Sequence, residues 1–228
     1  MLESPDKHCK KRTDKELWAR RKGYESFGKY QKELAKREGF ESYSQYQRYA
    51  ALKKSLKGYP IVENLGEDIS NATLNECKAF IAGGKRLPTN KRAILSAMTY
   101  KVLREKGEAI ILDEIAGLFN VDRWELAKCF RIFYGMEKIP QPDVKSLVEK
   151  YARNLHLPEE VEESAMQIYK ENEDILRKFR PTSSAAVCLY LVGGKYEVAE
   201  EEVAREAKRT PATVRNIMRI LRESKRTA

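Results

Sequence analysis

Near the C-terminus, Thr213, Arg215, Asn216 and Arg219 stand close together, and their side chains are of the kinds that read a base edge or hold a phosphate. Arginine carries a planar fork that matches guanine O6/N7 or a phosphate, and asparagine can pair with an adenine edge. Arg209 and Thr210 come immediately before them and join them as candidate nucleic-acid contacts. Thr210-Pro211 is an N-cap followed by a first-turn proline, the pair that opens a helix. At about 100° per residue, Val214, Ile217, Met218 and Leu221 gather on one side of that helix. Ala212, Arg215, Asn216, Arg219 and Arg222 fall on the other, with Thr213 beside the apolar side. A recognition helix in the major groove needs this division, and a solvated basic helix on any all-α domain shows it too.

The elements upstream supply the rest of a helix-turn-helix. Thr182-Ser-Ser-Ala-Ala-Val-Cys-Leu-Tyr190 is a run of small residues able to pack closely, and Glu200-Glu-Glu-Val-Ala-Arg-Glu-Ala207 makes two amphipathic turns. Lys208-Arg209 is the turn before the final helix.

Other chemistries find little support. Cys9, Cys77, Cys129 and Cys188 are far apart with no CxxC pair, and His8 and His156 are the two histidines, so no zinc or His-based acid/base constellation assembles. His8 and Cys9 are adjacent in a polar terminus, where such a pair is usually incidental. Phosphate-cradling glycine loops and nucleophile elbows have no counterpart here, and carboxylates follow helix-surface patterns. The expectation is a non-enzymatic protein without cofactor. No signal peptide or apolar run of spanning length is visible, so a reduced, cytoplasmic and nucleoid-associated location is expected, away from membranes.

Charge is placed unevenly. Residues 1–58 hold 16 Lys/Arg against 8 Asp/Glu, residues 59–204 hold 20 against 24, and residues 205–228 hold 8 against 2, within a net charge of +10. Two basic poles around a mildly acidic body suit a protein held on double-stranded DNA. A membrane-surface role needs a bulky apolar helix face, whereas these ends are aromatic and polar.

Two internal repeats organise the chain. Ala19-Arg-Arg-Lys-Gly-Tyr-Glu-Ser-Phe-Gly-Lys-Tyr-Gln31 recurs sixteen residues later as Ala35-Lys-Arg-Glu-Gly-Phe-Glu-Ser-Tyr-Ser-Gln-Tyr-Gln47. Gly23 and Gly39 suit the left-handed position after a helix, and Ser26 and Ser42 suit the next N-cap. Capping boxes are expected for Thr13 with Glu16 and for Ser42 with Gln45. Residues 13–56 therefore read as three short helices. Their interleaved basic and aromatic residues suit phosphate contact and base packing, or else the aromatics serve only to pack the small helices together. The second repeat is longer. Leu95 to Tyr100 aligns with Ala185 to Tyr190, Asp113 to Ala116 with Glu201 to Ala204, and Trp124 to Arg131 with Ala212 to Arg219. Helices near Val144–Leu155 and Pro158–Lys178 complete the second copy. The partition expected is a basic aromatic segment 1–58, a linker 59–71, a first all-helical repeat 72–138 and a second 139–228.

The stretch from Leu112-Asp-Glu-Ile-Ala116 through Val144 to Leu157, then Pro181, Ala186, Tyr190, Glu202-Val-Ala204 and Thr213-Val-Arg-Asn216, resembles the tandem cyclin-fold core of archaeal transcription factor B, the relative of eukaryotic transcription factor IIB. The resemblance covers roughly residues 85–228 and is most specific over 181–223. It implies two cyclin-like helical repeats, a core that clamps the TATA-box-binding protein on DNA, and a last helix-turn-helix that reads an element upstream of the TATA box. Thr213, Arg215 and Asn216 match the family's reading helix. Four departures matter. The loop Gly193–Val198 is shorter than is usual in the family. Ala212 stands where the family usually has valine, removing apolar contact with a base methyl. The first helix of the first repeat is hard to find. The family's zinc ribbon, which docks on RNA polymerase, has no matching cysteine pattern. The expectation is a promoter-binding regulator with doubtful polymerase contact. The alternatives are a cyclin-fold protein-interaction scaffold and a mobile-element or chromatin accessory factor that binds DNA through its N-terminal repeats.

Overall fold

The computed structural model describes residues 6–59, 65–84, 87–135 and 139–227, without the side chains of residues 6–13 and 225–227. His8 and Cys9 therefore fall outside the described side chains. Among the described residues the chain is all-α. The helices are α1 (Asp6–Arg21), α2 (Phe27–Arg37), α3 (Tyr43–Lys57), α4 (Glu67–Ala82), α5 (Lys91–Glu105), α6 (Leu112–Phe119) and α7 (Arg123–Tyr134). They continue with α8 (Val144–Asn154), α9 (Glu159–Glu171), α10 (Glu173–Leu176), α11 (Pro181–Gly193), α12 (Glu200–Glu206) and α13 (Pro211–Thr227). The chain divides into two compact units, residues 1–99 and 100–228, and the division falls inside α5.

In the first unit α1 packs on α2, α2 on α3, and α3 on α4. The sixteen-residue repeat is structural. Gly23 and Gly39 take φ of +86° and +79°, a region that side-chain-bearing residues avoid, and each reverses the chain after a helix. Tyr24 N donates to Ala19 O at 3.0 Å, and Phe40 N donates to Ala35 O at 2.9 Å. Ser26 then caps α2 through Lys29 N (3.2 Å) and Ser42 caps α3 through Gln45 N (3.3 Å). Gln45 Oε1 accepts from Ser42 N at 3.1 Å, completing that capping box. Thr13 is not the N-cap that its spacing to Glu16 suggests, because α1 already begins at Asp6 and Thr13 lies inside it. Glu16 instead accepts from Phe27 N at 2.9 Å, tying α1 to the start of α2.

Helix α4 begins within the stretch read as a linker, with Glu67 and Asp68 in its first turn where the helix dipole favours negative charge. Gln45 Nε2 donates to Ile81 O at 3.3 Å, holding α3 against the end of α4. The hydroxyls of Thr73 and Thr99 meet at 3.3 Å, and Cys77 Sγ lies 3.0 Å from Met98 Sδ. Helix α3 packs on α4, the helix that follows it, as α8 packs on α9.

The second unit is built around α11. Thr182 through Leu189 are all buried, and α8, α9, α12 and α13 pack on that helix. Small side chains make this possible, since four neighbours can approach only where no face carries bulk. Leu147, Val148, Leu176, Val203, Val214 and Ile217 surround it in one apolar cluster. Each fully buried side chain of this size contributes about 1.5–3 kcal/mol relative to exposure. Helix α8 is also tied to two neighbours by polar contacts. Lys150 Nζ donates to Glu114 at 2.6 Å and to Ala109 O at 2.9 Å, and Asn154 donates to Glu206 at 2.6 Å. Among the described residues no helix is long and apolar enough to cross a membrane.

Candidate nucleic-acid interface

The site grows from the turn between α12 and α13. Glu202 at the third position of α12 accepts from Ala199 N at 3.2 Å and so starts the helix. The helix ends at Ala207, and Lys208 takes the left-handed conformation with φ +52°. Arg209 N donates back to Ala204 O at 2.8 Å, which closes the turn. Thr210 Oγ1 accepts from Thr213 N at 3.3 Å and shares a hydrogen bond with Thr213 Oγ1 at 2.9 Å. Thr210 is thereby spent as the N-cap, with Pro211 opening α13.

The apolar side of α13 is inside: Val214, Ile217, Met218 and Leu221 are all buried. Ala212, Arg215, Asn216, Arg219 and Arg222 are exposed or nearly so, and Thr213 is half-buried. Two contacts pre-orient the exposed face. Arg215 Nε lies 3.3 Å from the carboxylate of Glu200, leaving the outer fork of the guanidinium open. Arg219 Nη2 donates to Asn216 Oδ1 at 3.0 Å. A bidentate contact from Asn216 to adenine uses both its oxygen and its amide nitrogen, so engagement requires that bond to Arg219 to be exchanged.

Arg209 has another role. It is half-buried, with Nε 3.1 Å from both Thr182 Oγ1 and Ser183 Oγ, and Nη2 2.7 Å from Thr182 Oγ1. Burial, then the neighbouring Arg180 and Arg123, hold its pKa below the ordinary arginine value, with Asp113 and Tyr151 opposing. Its first use is to pin the turn of the helix-turn-helix to the start of α11.

The basic surface extends beyond the residues the sequence singled out. A groove of about 570 Å³ beside α13 is lined by Ala212, Thr213 and Asn216 on one side and by Lys178, Arg180 and Ser183 on the other. A second cleft, of about 730 Å³, runs from Lys178, Arg180 and Arg209 to Arg123, Trp124 and Arg131. Within it Asp113 pairs with Arg123 at 3.4 Å. Trp124 is 71% exposed. Lys178 and Arg180 sit in the turn before α11, where a helix-face argument does not look. The sequence signal was the run Arg177-Lys-Phe-Arg180.

The described cysteines do not extend this chemistry. Cys77 and Cys188 are pushed up to about 12, and Cys129 to about 11, by burial above all. They are thiols in a core, with a tiny thiolate fraction at neutral pH. Among the described residues no group of His, Cys, Asp or Glu has the arrangement of a metal site.

No protein-family model matches the chain. Curated relatives do. The chain is 32% identical over 130 residues to a protein of Caldivirga maquilingensis, covering 54% of this chain and 39% of the relative. It is 30% identical over 139 residues to one of Archaeoglobus fulgidus (57% and 42%), and 32% identical over 139 residues to one of Methanocaldococcus jannaschii (57% and 20%). All three relatives are named transcription initiation factor IIB. The chain is thus similar to transcription initiation factor IIB over somewhat more than half its length, as the sequence motifs implied, and the match spans about two fifths or less of each of these relatives.

Proposed function

We propose that the chain is a DNA-binding protein of the transcription factor B type, in which α13 enters the major groove of a promoter element. The observation that supports this reading best is the clean division of α13: a buried apolar side locked to α11, and an exposed side carrying Arg215, Asn216 and Arg219. Thr213 lines the adjoining groove and joins them, while Arg209 and Thr210 act by fixing the helix that presents them. Lys178 and Arg180 hold backbone phosphates beside the reading helix. The partition read from the sequence, 1–58, 59–71, 72–138 and 139–228, is retained as the functional one, with the second repeat as the DNA reader.

The proposed action is occlusion on the nucleoid. The chain occupies a promoter element, alone or with the TATA-box-binding protein, and withholds the polymerase contact for which a paired-cysteine ribbon is the family's device. Binding-site selection with and without TATA-box-binding protein identifies the element. A reconstituted transcription reaction then tests the action: excess chain lowers output from promoters carrying that element, and Arg215→Ala together with Arg219→Ala relieves the loss. Transcription supported by this chain in place of the genuine factor contradicts occlusion.

The exposed Trp124 favours a second reading, a scaffold that grips a partner protein in the cleft between Arg123 and Arg180. A gel shift with salt titration separates the two, since a scaffold leaves duplex DNA unbound.

A further inference from the structure

We infer that α1–α3 form a second nucleic-acid surface, one that grips the backbone of double-stranded DNA irrespective of sequence. Exposed lysines and arginines over residues 14–57 outnumber exposed carboxylates about three to one. Lys29 pairs with Glu25, and Lys15 lies over the Phe27 ring. Arg20, Arg21, Lys36 and Arg37 have no ion pair among the described residues. A fold that needs its surface charge only for solubility intersperses the signs, and here one sign is left unneutralised.

The repeat places these charges in register. Arg20-Arg21 and Lys36-Arg37 occupy the last turns of α1 and α2, each pair following a buried alanine, Ala19 or Ala35, and preceding a positive-φ glycine. The helix dipole favours a cation at each of these ends, but that preference is met within one turn and leaves the other cations unexplained. On α2, the exposed Lys29, Lys32 and Lys36 fall within about 60° of one another around the axis, and on α3 the exposed Lys53, Lys54 and Lys57 fall within about 100°. Lysines and arginines repeated along a helical array fit a ligand whose own charge repeats, and duplex DNA carries one phosphate charge per roughly 1.7 Å of axis.

The aromatic residues decide which nucleic acid. Binding of single strands depends on open ring faces on which bases stack. Here Trp18 and Tyr24 set their rings edge-on to Tyr30, at 4.9 and 5.1 Å, and Phe40 packs on Tyr49 at 5.3 Å with both rings buried. Of the aromatics over residues 14–57 only Trp18 is exposed, at 42%, and Tyr30 engages it edge-on. What the surface offers a ligand is chiefly charge, and charge reads a backbone.

The test measures the affinity of the full chain for a random-sequence DNA duplex across a salt series, for wild type and for Arg20→Gln/Arg21→Gln/Lys36→Gln/Arg37→Gln. All four side chains are exposed, and unchanged helical signal and melting temperature confirm that the variant folds. The expected result is a slope of log K against log salt reduced by about 0.9 for each phosphate that the variant no longer neutralises, with selected and random duplexes weakened alike. An unchanged slope in the folded variant overturns the inference. So does a single strand or an RNA duplex that outcompetes DNA, or anionic vesicles bound in preference to DNA. Arg215→Ala/Arg219→Ala separates this surface from α13. That variant retains random-duplex binding if α1–α3 grip DNA, and adding the four glutamines weakens it further, with the lower salt slope seen in the four-glutamine variant alone. Sequence preference that survives Arg215→Ala/Arg219→Ala, with random binding reduced by the glutamines, leaves this inference standing without the reading-helix proposal.

Discussion

The helix-turn-helix of α6–α7 and that of α12–α13 share a frame and differ in what the frame presents. With an offset of 88 residues, Asn120 and Lys208 both take the left-handed conformation, at φ +48° and +52°. Asp122 and Thr210 both cap the second helix, and Glu114 and Glu202 both reach back to the first residue of their turn. The surfaces then part. Ala127 in α7 is buried where Arg215 in α13 is exposed, and exposed Trp124 occupies the place of Ala212. Caps and buried faces determine that such a motif folds, while the outward residues of its second helix determine what it can touch.

The largest effect expected from breaking this comparison comes from exchanging the two outward positions. Ala127 is buried in the wall of the cleft beside Arg123, so Ala127→Arg overpacks that wall and is expected to cost about 3 kcal/mol, whereas Arg215→Ala, which removes the pair with Glu200, is expected to cost about 1 kcal/mol or less. Paired denaturant melts measure both. A well-folded Ala127→Arg protein means that α7 has an open face like that of α13.

Arg209→Ala comes next. Removing the guanidinium leaves the buried hydroxyls of Thr182 and Ser183 without their donor, at a cost of about 1–3 kcal/mol, seen as a lowered unfolding midpoint. Loss of DNA affinity with full stability identifies Arg209 as a direct contact and not an anchor. The smallest effect is at the turn itself. Lysine in the left-handed region is strained more than asparagine, so Lys208→Asn is expected to stabilise by a few tenths to about 1 kcal/mol, and Asn120→Lys to destabilise similarly. No change in either melt means that the neighbours, not the turn residue, set this conformation.

Much of this frame was legible in the residues. The 3.6-residue period separated Val214, Ile217, Met218 and Leu221 from Arg215, Asn216 and Arg219, and small residues marked α11 as the helix others pack against. The glycine–serine turns of the first repeat were legible for the same reason, because φ and capping are local. Interactions between residues distant in sequence were hidden. The anchoring of Arg209 was hidden because its hydroxyl partners lie on α11, and Lys178 and Arg180 lay in a turn that helix geometry ignores. Helix α3 read as the end of a separate basic block because its sequence follows the sixteen-residue period, although it packs on α4. The start of α1 was misplaced by a capping-box pattern at Thr13 that the preceding turns override.

The central claim, that the exposed face of α13 reads base sequence, is tested most directly by the affinities of wild type and Arg215→Ala for a selected duplex and a random one at the same salt. A bidentate base contact is worth about 1–3 kcal/mol, roughly a 5- to 150-fold loss. The loss is expected on the selected duplex, with base preference blurred at one position and random-duplex affinity nearly unchanged. Equal losses on both duplexes, or no loss on either, would contradict the claim and reduce Arg215 to a phosphate contact or a solvated side chain.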